Sequence, residues 1–265
     1  MTSAEPSATT GGVSLTLDRR LAVVTIDRPH ARNAIGFATV DELGSAIDEV
    51  AGSDAAVLVI RGGGERAFVS GGDLKELATV RSFEQAQAMA GRVRDLLDRI
   101  AALPIPVIAA LNGHALGGGA EVAVAADIRI AAEDVSIGFN QVTLAIMPAW
   151  GGAERLVQLV GRSRAMLALT TGALYDAATA HRIGLVDEVV PRAEFNAYWQ
   201  ALARRIADTA PGASGSIKAV VSAAAPAVHE STRTLAIDVF ARLWAAQPHW
   251  DAVEAMEAKR RSRDR

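Results

Sequence analysis

Cysteine is absent from this chain of 265 residues. Disulfide bonds, thiolate nucleophiles and Cys-ligated metals are therefore excluded. Five histidines are present, but no two of them have a metal-ligand spacing on one predicted helix face, so we expect no metal site. Lysine is also scarce: Lys75, Lys218 and Lys259 are the only lysines among 27 basic residues.

Long hydrophobic runs are missing too. No apolar segment approaches the roughly 18 residues that a membrane span needs. The first 12 residues lack the apolar core of a secretory signal and the Arg-rich face of a transit peptide. With 30 acidic and 27 basic residues the net charge is −3, which favours neither a nucleic-acid nor a membrane-surface partner. We expect a cytoplasmic protein.

Strands and helices alternate in the first part of the chain, and helical patterns dominate after Gly151. The predicted strands are Val13–Leu17, Leu21–Ile26, Ala56–Ile60, Pro106–Leu111, Asp127–Ala131 and Leu185–Val190. The predicted helices are Phe37–Val50, Ser82–Ala102, Ala120–Ala126, Ala153–Val160, Arg164–Thr170, Ala197–Ala207 and Leu235–Ala245. This order predicts an α/β core followed by a helical C-terminal layer.

Two glycine clusters, Phe68–Lys75 and Asn112–Glu121, each follow a buried strand and precede a helix. Glycine allows a backbone to approach a ligand closely, and a helix N-terminus presents unpaired N–H groups. Two such loops that converge on one carbonyl oxygen would form an oxyanion hole. Tight packing is the simpler alternative for either cluster alone. A dinucleotide fingerprint and a Walker phosphate loop are disfavoured because their glycine and lysine spacings are incomplete.

Several short segments, taken in their order along the chain, resemble the crotonase superfamily, the enoyl-CoA hydratase/isomerase family. They are Asp27-Arg28-Pro29, Arg32-Asn33-Ala34, Phe68–Lys75, Pro106–Ala110, Asn112-Gly113, Gly117–Glu121, Pro148, Gly151-Gly152, Gly184–Val186 and Val189–Pro191. The resemblance implies a spiral of ββα units over residues 13–195. A helical oligomerisation region at 196–265 would follow it and a disordered tail at 1–12 would precede it. Such proteins form homotrimers or dimers of trimers.

The resemblance also implies site residues. The backbone N–H groups of Gly72 and Gly118 would hold a thioester oxygen, and Glu121 would act as general acid/base. A simpler alternative for Glu121 is that its carboxylate only interacts favourably with the dipole at the helix N-terminus. Contacts to CoA or to the acyl group are expected from Arg32, Ala34, Ser70, Asp73, Leu74, Lys75, Ala149 and Trp150. A solvated helix position is an equal alternative for Lys75. CoA would arrive as part of the acyl-CoA substrate, with no further cofactor.

Gln141 stands where hydratases of this family keep a second glutamate. Glutamine orients water but cannot give or take a proton, which counts against efficient hydration and against double-bond isomerisation. Pro148–Gly152 resembles ethylmalonyl-CoA-decarboxylase-like members, although Trp150 is equally explained as a core aromatic. The leading hypothesis is hydration of a 2-enoyl-CoA. The alternatives are decarboxylation of an alkylmalonyl-type CoA and a catalytically weak acyl-CoA-binding protein.

Overall fold

The computed structural model describes residues 12–225 and 229–263, so the predicted tail, apart from Gly12, lies outside the described residues. Ten strands are present in this part of the chain: β1 Val13–Asp18, β2 Leu21–Ile26, β3 Val57–Gly62, β4 Ala67–Val69, β5 Val107–Leu111, β6 His114–Leu116, β7 Ile128–Ala132, β8 Ser136–Gly138, β9 Leu174–Asp176 and β10 Glu188–Val190.

Helices occupy most of the remaining described chain. The α-helices are α1 Phe37–Ala51, α2 Leu74–Leu77, α3 Phe83–Ala102, α4 Gly118–Val124, α5 Gly152–Val160, α6 Arg162–Thr171, α7 Ala177–Arg182, α8 Phe195–Ala207, α9 Ala213–Ala224, α10 Glu230–Ala245 and α11 Gln247–Arg263. Two 3-10 helices span Pro29–Ala31 and Asn140–Leu144. Within the described residues, no helix has both the length and the apolar character that crossing a membrane requires.

A six-stranded sheet in the order β1-β2-β3-β5-β7-β10 forms the centre of the core. Only the β1–β2 hairpin is antiparallel, while the pairs from β2 through β10 are parallel. Every residue of β5 is buried, and so are all but one of β3. Such Val- and Ile-rich, doubly covered strands are typical of a parallel sheet buried on both faces.

A second sheet of four short strands, in the order β4-β6-β8-β9, accompanies the first. Three inner strands of the large sheet are each followed directly by a strand of the small one: β3 by β4, β5 by β6, and β7 by β8. Helical segments follow each of these pairs, so the chain winds as repeated ββα units. This arrangement confirms the predicted α/β class and the ββα spiral.

The three neighbouring strands β4, β6 and β8 run parallel to one another. Their carboxyl ends therefore lie side by side at one edge of the small sheet. The chain leaves β4 through Ser70–Asp73, leaves β6 through Gly117 into α4, and leaves β8 into the 3-10 helix Asn140–Leu144. Three loops that are distant in sequence are thus brought to one place.

The C-terminal helices extend the core. Helix α10 packs along α3, and the indole of Trp244 donates to the Val80 carbonyl at 3.0 Å. Helix α11 packs on the 3-10 helix, where the His249 ring nitrogen Nδ1 lies 2.7 Å from the Leu144 carbonyl oxygen. The division between core and oligomerisation region at residues 195 and 196 stays a prediction.

Most of the longer elements were predicted to within a few residues, but helices α9 and α11 were not predicted individually. The short strands β4, β6, β8 and β9 were not predicted as strands. Each of the four is three residues long. Three residues are too few for the alternation of apolar and polar side chains to be recognised. The predicted strand Leu185–Val190 is in fact a strand only from Glu188.

Candidate active site

The loop after β4 leaves the backbone N–H of Gly72 unpaired within the described residues. Ile35 and Gly72 form a parallel bridge in which the Ile35 N–H donates to Gly71 and the Asp73 N–H donates to Ile35. The bridge uses the groups on either side of Gly72, so the Gly72 N–H faces away from Ile35. Among the described residues, the Gly72 N–H donates to no acceptor.

The loop after β6 leaves a second N–H group unpaired. Gly118 is the first residue of α4, and Gly117 before it has φ 56° and ψ −119°, which a side chain would strain. In the described part of the chain the Gly118 N–H has no acceptor, as expected for a first helical turn. A β-carbon added to Gly71, which has φ 106°, would lie 3.4 Å from the Gly118 nitrogen. The two glycine loops are therefore in direct contact.

Glu121 lies on the first turn of α4 and is 2% exposed. Its Oε2 accepts from the backbone N–H groups of Trp150 at 2.7 Å and Gly152 at 2.9 Å. Its Oε1 accepts from the Gln141 side-chain amide at 3.0 Å. The carboxyl group is thus held in one orientation by three donors from two other segments.

Burial raises the pKa of Glu121 from its ordinary value of 4.5 to about 7. The three hydrogen bonds favour the ionised form and act against this shift, while the negative charge of Glu154 adds to it. A carboxyl group with a pKa near 7 can both accept and return a proton at neutral pH. The sequence-based expectation that burial would act in this direction is supported, although the backbone donors were not foreseen.

Gln141 is 8% exposed, and its side-chain oxygen is buried without a hydrogen-bond partner in the described residues. Its amide nitrogen is the group that holds Glu121. Since this oxygen can accept two hydrogen bonds, the site contains an unused acceptor next to the Glu121 carboxyl group. An unpaired buried acceptor of this kind suits a water molecule or a polar substrate group.

Trp150 joins the acid/base group to the two glycines. Its main-chain N–H holds Glu121, and its carbonyl accepts from Arg155 at 3.1 Å. A β-carbon added to Gly118 would lie 2.1 Å from Cζ3 of the indole, and one added to Gly72 would lie 3.7 Å from Cη2. The indole ring therefore packs tightly against Gly118 and lies near Gly72, which the Leu77 side chain approaches more closely. Ala149, which precedes it, is 1% exposed.

The structure also joins the two segments expected to contact CoA. The Ser70 N–H donates to the Arg32 carbonyl at 3.2 Å, and the Ala34 carbonyl accepts from Arg28. The Asp73 carboxylate binds Arg28 at 3.0 Å and caps the N-terminus of α2. Asp73 thus has an internal role. Contacts of these segments, including Leu74 and Lys75, with CoA stay predictions.

A group of charged residues behind Glu121 was not predicted from the sequence. The guanidinium of Arg94, 3% exposed, pairs with Glu154 at 2.9 Å and with Asp98 at 3.0 Å. Arg155 also pairs with Asp98. The only sequence signal is the four-residue spacing of Arg94 and Asp98 on α3, a spacing that is common on solvated helix faces. These pairs fix the segment that carries the Glu121 donors.

Two neighbouring backbone N–H groups without acceptors, together with a buried carboxyl group, are the kind of arrangement with which enzymes stabilise a developing oxyanion and move a proton next to it. Comparisons with known proteins agree. A family model described as Enoyl-CoA hydratase/isomerase matches residues 17–262. The short-chain-enoyl-CoA hydratase of Clostridium acetobutylicum is 34% identical over 255 residues, covering 94% of this chain and 95% of the clostridial protein.

The crotonyl-CoA hydratase of Syntrophomonas wolfei is also 34% identical, over 94% of this chain and 96% of that protein. A crystal structure of an enoyl-CoA hydratase from Bacillus anthracis superposes with a TM-score of 0.77 at 32% identity, covering 94% of this chain and 96% of that one. The chain belongs to the enoyl-CoA hydratase/isomerase family. The resemblance drawn from its motifs is confirmed.

Proposed function

We propose that this enzyme adds water to a 2-enoyl-CoA, with Glu121 as the only proton-transferring side chain and Gln141 as the group that orients the water. The observation that carries the proposal is the pairing of these two side chains. Glu121 Oε1 accepts from the Gln141 amide nitrogen, and the Gln141 oxygen beside it has no partner within the described chain. A water molecule there donates one hydrogen to each oxygen.

The thioester oxygen binds to the N–H groups of Gly72 and Gly118. Negative charge collects on this oxygen as the nucleophile adds to the β-carbon, so the two donors stabilise the enolate more than the ground-state carbonyl. Removing one such donor in other enzymes lowers the rate roughly 100- to 1,000-fold. Both donors are main-chain groups, and their positions are therefore set by the fold.

One carboxyl group is sufficient for both proton transfers of the reaction. Ionised Glu121 takes a proton from the water as the water oxygen bonds to the β-carbon, and the π electrons move to the thioester oxygen. The enolate then collapses, and Glu121 returns the same proton to the α-carbon. Because the pKa of Glu121 is about 7, neither direction of this transfer is strongly uphill at neutral pH.

The donors to Oε2 direct which oxygen reacts. Trp150 and Gly152 hold Oε2, while Oε1 has a single donor, Gln141. An oxygen with one donor keeps a lone pair for the water proton. We assign Oε1 as the atom that takes the proton. The position of Gln141 next to it then serves to align the water.

Decarboxylation of an alkylmalonyl-type CoA is the second candidate. The specific observation in its favour is that Gln141, which replaces the second carboxylate, cannot exchange protons. Loss of CO₂ forms the thioester enolate without a base, so the two N–H donors suffice for that step. Glu121 in its protonated form would then supply a proton to the α-carbon.

The first experiment is a spectrophotometric assay of crotonyl-CoA hydration with wild type and Glu121→Gln. We expect turnover that disappears in the variant. A folded wild-type protein that binds acyl-CoA without hydrating it contradicts the proposal. Release of CO₂ from ethylmalonyl-CoA would then establish the second candidate, and acyl-CoA binding with neither activity would identify a binding protein.

We also propose self-association into a homotrimer or a dimer of trimers. Large apolar side chains are more than half exposed on three helices of the C-terminal half, which favours a protein–protein interface. They are Met166, Leu167, Ile217, Val220, Val221 and Leu235. Light scattering coupled to size-exclusion chromatography tests this state. A monomer at micromolar concentration would contradict it.

A further inference from the structure

The indole of Trp150 is a part of the site that none of the proposed chemical steps uses. The main chain of Trp150 is fixed through Glu121 and Arg155, which would be true of any residue at this position. Among the described residues, the indole N–H makes no hydrogen bond, so the ring is held by packing alone. Trp150 is nevertheless only 6% exposed.

The position of the ring bears on where an acyl group can lie. A thioester oxygen shared by the Gly72 and Gly118 N–H groups fixes the start of the acyl chain, and Glu121 fixes the reacting carbons nearby. A β-carbon added to either glycine would lie within 3.7 Å of the Trp150 ring, and the Trp150 main-chain N–H donates to Glu121. The indole therefore lies next to the place where the acyl group begins.

Beyond the indole there is an apolar cleft, but almost no free space. Its walls are formed by α1, α2 and α3 together with the ring. The lining residues are Ile35, Gly36, Phe37, Val40, Leu77, Met89, Arg92, Val93 and Trp150. The open volume is about 10 Å³, which is about the minimum that one water molecule needs. The walls suit a hydrocarbon chain, and the ring occupies the space that such a chain would fill.

We propose that Trp150 is the residue that limits acyl length, with its indole filling the apolar cleft so that the enzyme accepts short acyl groups of about four carbons. The proposal rests on the placement of the thioester in the proposed function. It does not depend on which reaction follows, because hydration and decarboxylation form the same enolate at the same two N–H groups. The determinant is a side chain of this sequence rather than a feature of the fold.

The test measures binding of saturated acyl-CoA esters, which cannot be hydrated. Isothermal titration compares butyryl-CoA with octanoyl-CoA in wild type, Trp150→Ala and Trp150→Phe. We expect wild type to bind butyryl-CoA at least about tenfold more tightly than octanoyl-CoA, because the longer chain must displace the ring. In Trp150→Ala the preference should reverse, and Trp150→Phe should lie between the two.

Trp199→Ala is the matched control, since it removes a buried indole on α8 that does not line the cleft. We expect Trp199→Ala to keep the preference of wild type for butyryl-CoA. Equal affinity of wild type for both esters, or an unchanged preference in folded Trp150→Ala, overturns the proposal. If Trp150→Ala does not fold, the same comparison with Trp150→Phe decides, and an unchanged preference there counts against it.

The two proposals can fail separately. A length preference that depends on Trp150 in a protein with no hydratase activity leaves the role of Trp150 intact and overturns only the proposed reaction. Hydration of crotonyl-CoA and decenoyl-CoA with similar kcat/KM supports the proposed reaction and overturns the role of Trp150 in limiting acyl length. Failure of wild type to bind any acyl-CoA overturns both.

Discussion

The two sheets of this molecule contribute different things. The large sheet has strands of up to six residues that are mostly buried, and it supplies the central packing. The small sheet has three-residue strands, and the proposed reacting groups all follow β4, β6 or β8 or lie in segments that contact the residues after them. We therefore expect the large sheet to contribute more to stability and the small sheet more to chemistry, so that mutations can separate the two.

The largest effect on chemistry is expected from Glu121→Gln. The variant keeps acceptors for the Trp150 and Gly152 N–H groups but cannot take a proton from water. We expect kcat for crotonyl-CoA to fall by about 1,000-fold, within the usual range for loss of a general acid/base. In wild type kcat/KM should decline below pH 7, as Glu121 becomes protonated. Steady-state kinetics from pH 5.5 to 8.5 measure both effects.

The same substitution should stabilise the fold. The pKa of Glu121 is raised from 4.5 to about 7, so the folded state holds the proton more tightly than the unfolded state. Its contribution to the free energy of unfolding is full below pH 4.5 and is lost as the pH rises through 7. Removing the ionisable group should therefore add about 3 kcal/mol at pH 8.5 and much less at pH 5.5. A loss of stability in Glu121→Gln at pH 8.5 would contradict the burial of an ionised carboxylate.

The next largest effect on activity is expected from substitution of Gly118, whose N–H is a proposed oxyanion donor and which packs against the Trp150 indole. A methyl group on Gly118 would lie 2.1 Å from the Trp150 indole, so Gly118→Ala must displace the ring or the loop. We expect a loss in kcat of about 100-fold, the effect of misplacing one oxyanion donor. Gly118→Ala/Trp150→Ala removes the collision while keeping the N–H group, and should recover most of this loss. Without such recovery, the collision with the ring is not the cause.

This contact also changes how the Gly118 donor must be tested. Proline at position 118 deletes the N–H group, but it collides with the same indole. The clean comparison is Gly118→Pro/Trp150→Ala against Gly118→Ala/Trp150→Ala. A large further loss with proline is expected from the missing donor. Similar rates in the two double variants would contradict the oxyanion role of Gly118.

The large sheet should show the reverse pattern. Ile108 is fully buried in β5 and makes none of the contacts described for the proposed reacting groups. Ile108→Ala should lower the free energy of unfolding by about 2 to 5 kcal/mol, since it leaves a cavity in the central packing. The kcat of the folded fraction should stay within about twofold of wild type. A large loss of kcat without loss of thermal stability would contradict the expectation that the large sheet contributes to stability rather than to catalysis.

Prediction from the sequence was largely accurate for the strands of the large sheet, and it missed the short strands of the small sheet. Strand β2 and helix α3 were predicted within a residue because long apolar periods identify them. Gly72, Gly118 and Glu121 were proposed from motifs rather than from periodicity, and the strands before them were missed. The contacts of the Trp150 ring with two glycines, and the donors from Trp150 and Gly152 to Glu121, join segments that are 29 to 78 residues apart. No local pattern in the sequence encodes such contacts.

The smallest effect is expected from Gln141→Glu, and it is the sharpest test of why the site has one carboxyl group. The Gln141 amide lies 3.0 Å from Glu121 Oε1, so a second carboxylate there would share a proton with Glu121 and raise its pKa further. The water could then be held by two proton-exchanging groups. We expect kcat for crotonyl-CoA to rise about tenfold, with the acidic limb of the pH profile shifted upward. Gln141→Ala, which loses the acceptor, should lower kcat instead. An unchanged rate in a folded Gln141→Glu protein that binds butyryl-CoA would mean that position 141 does not contact the reacting water.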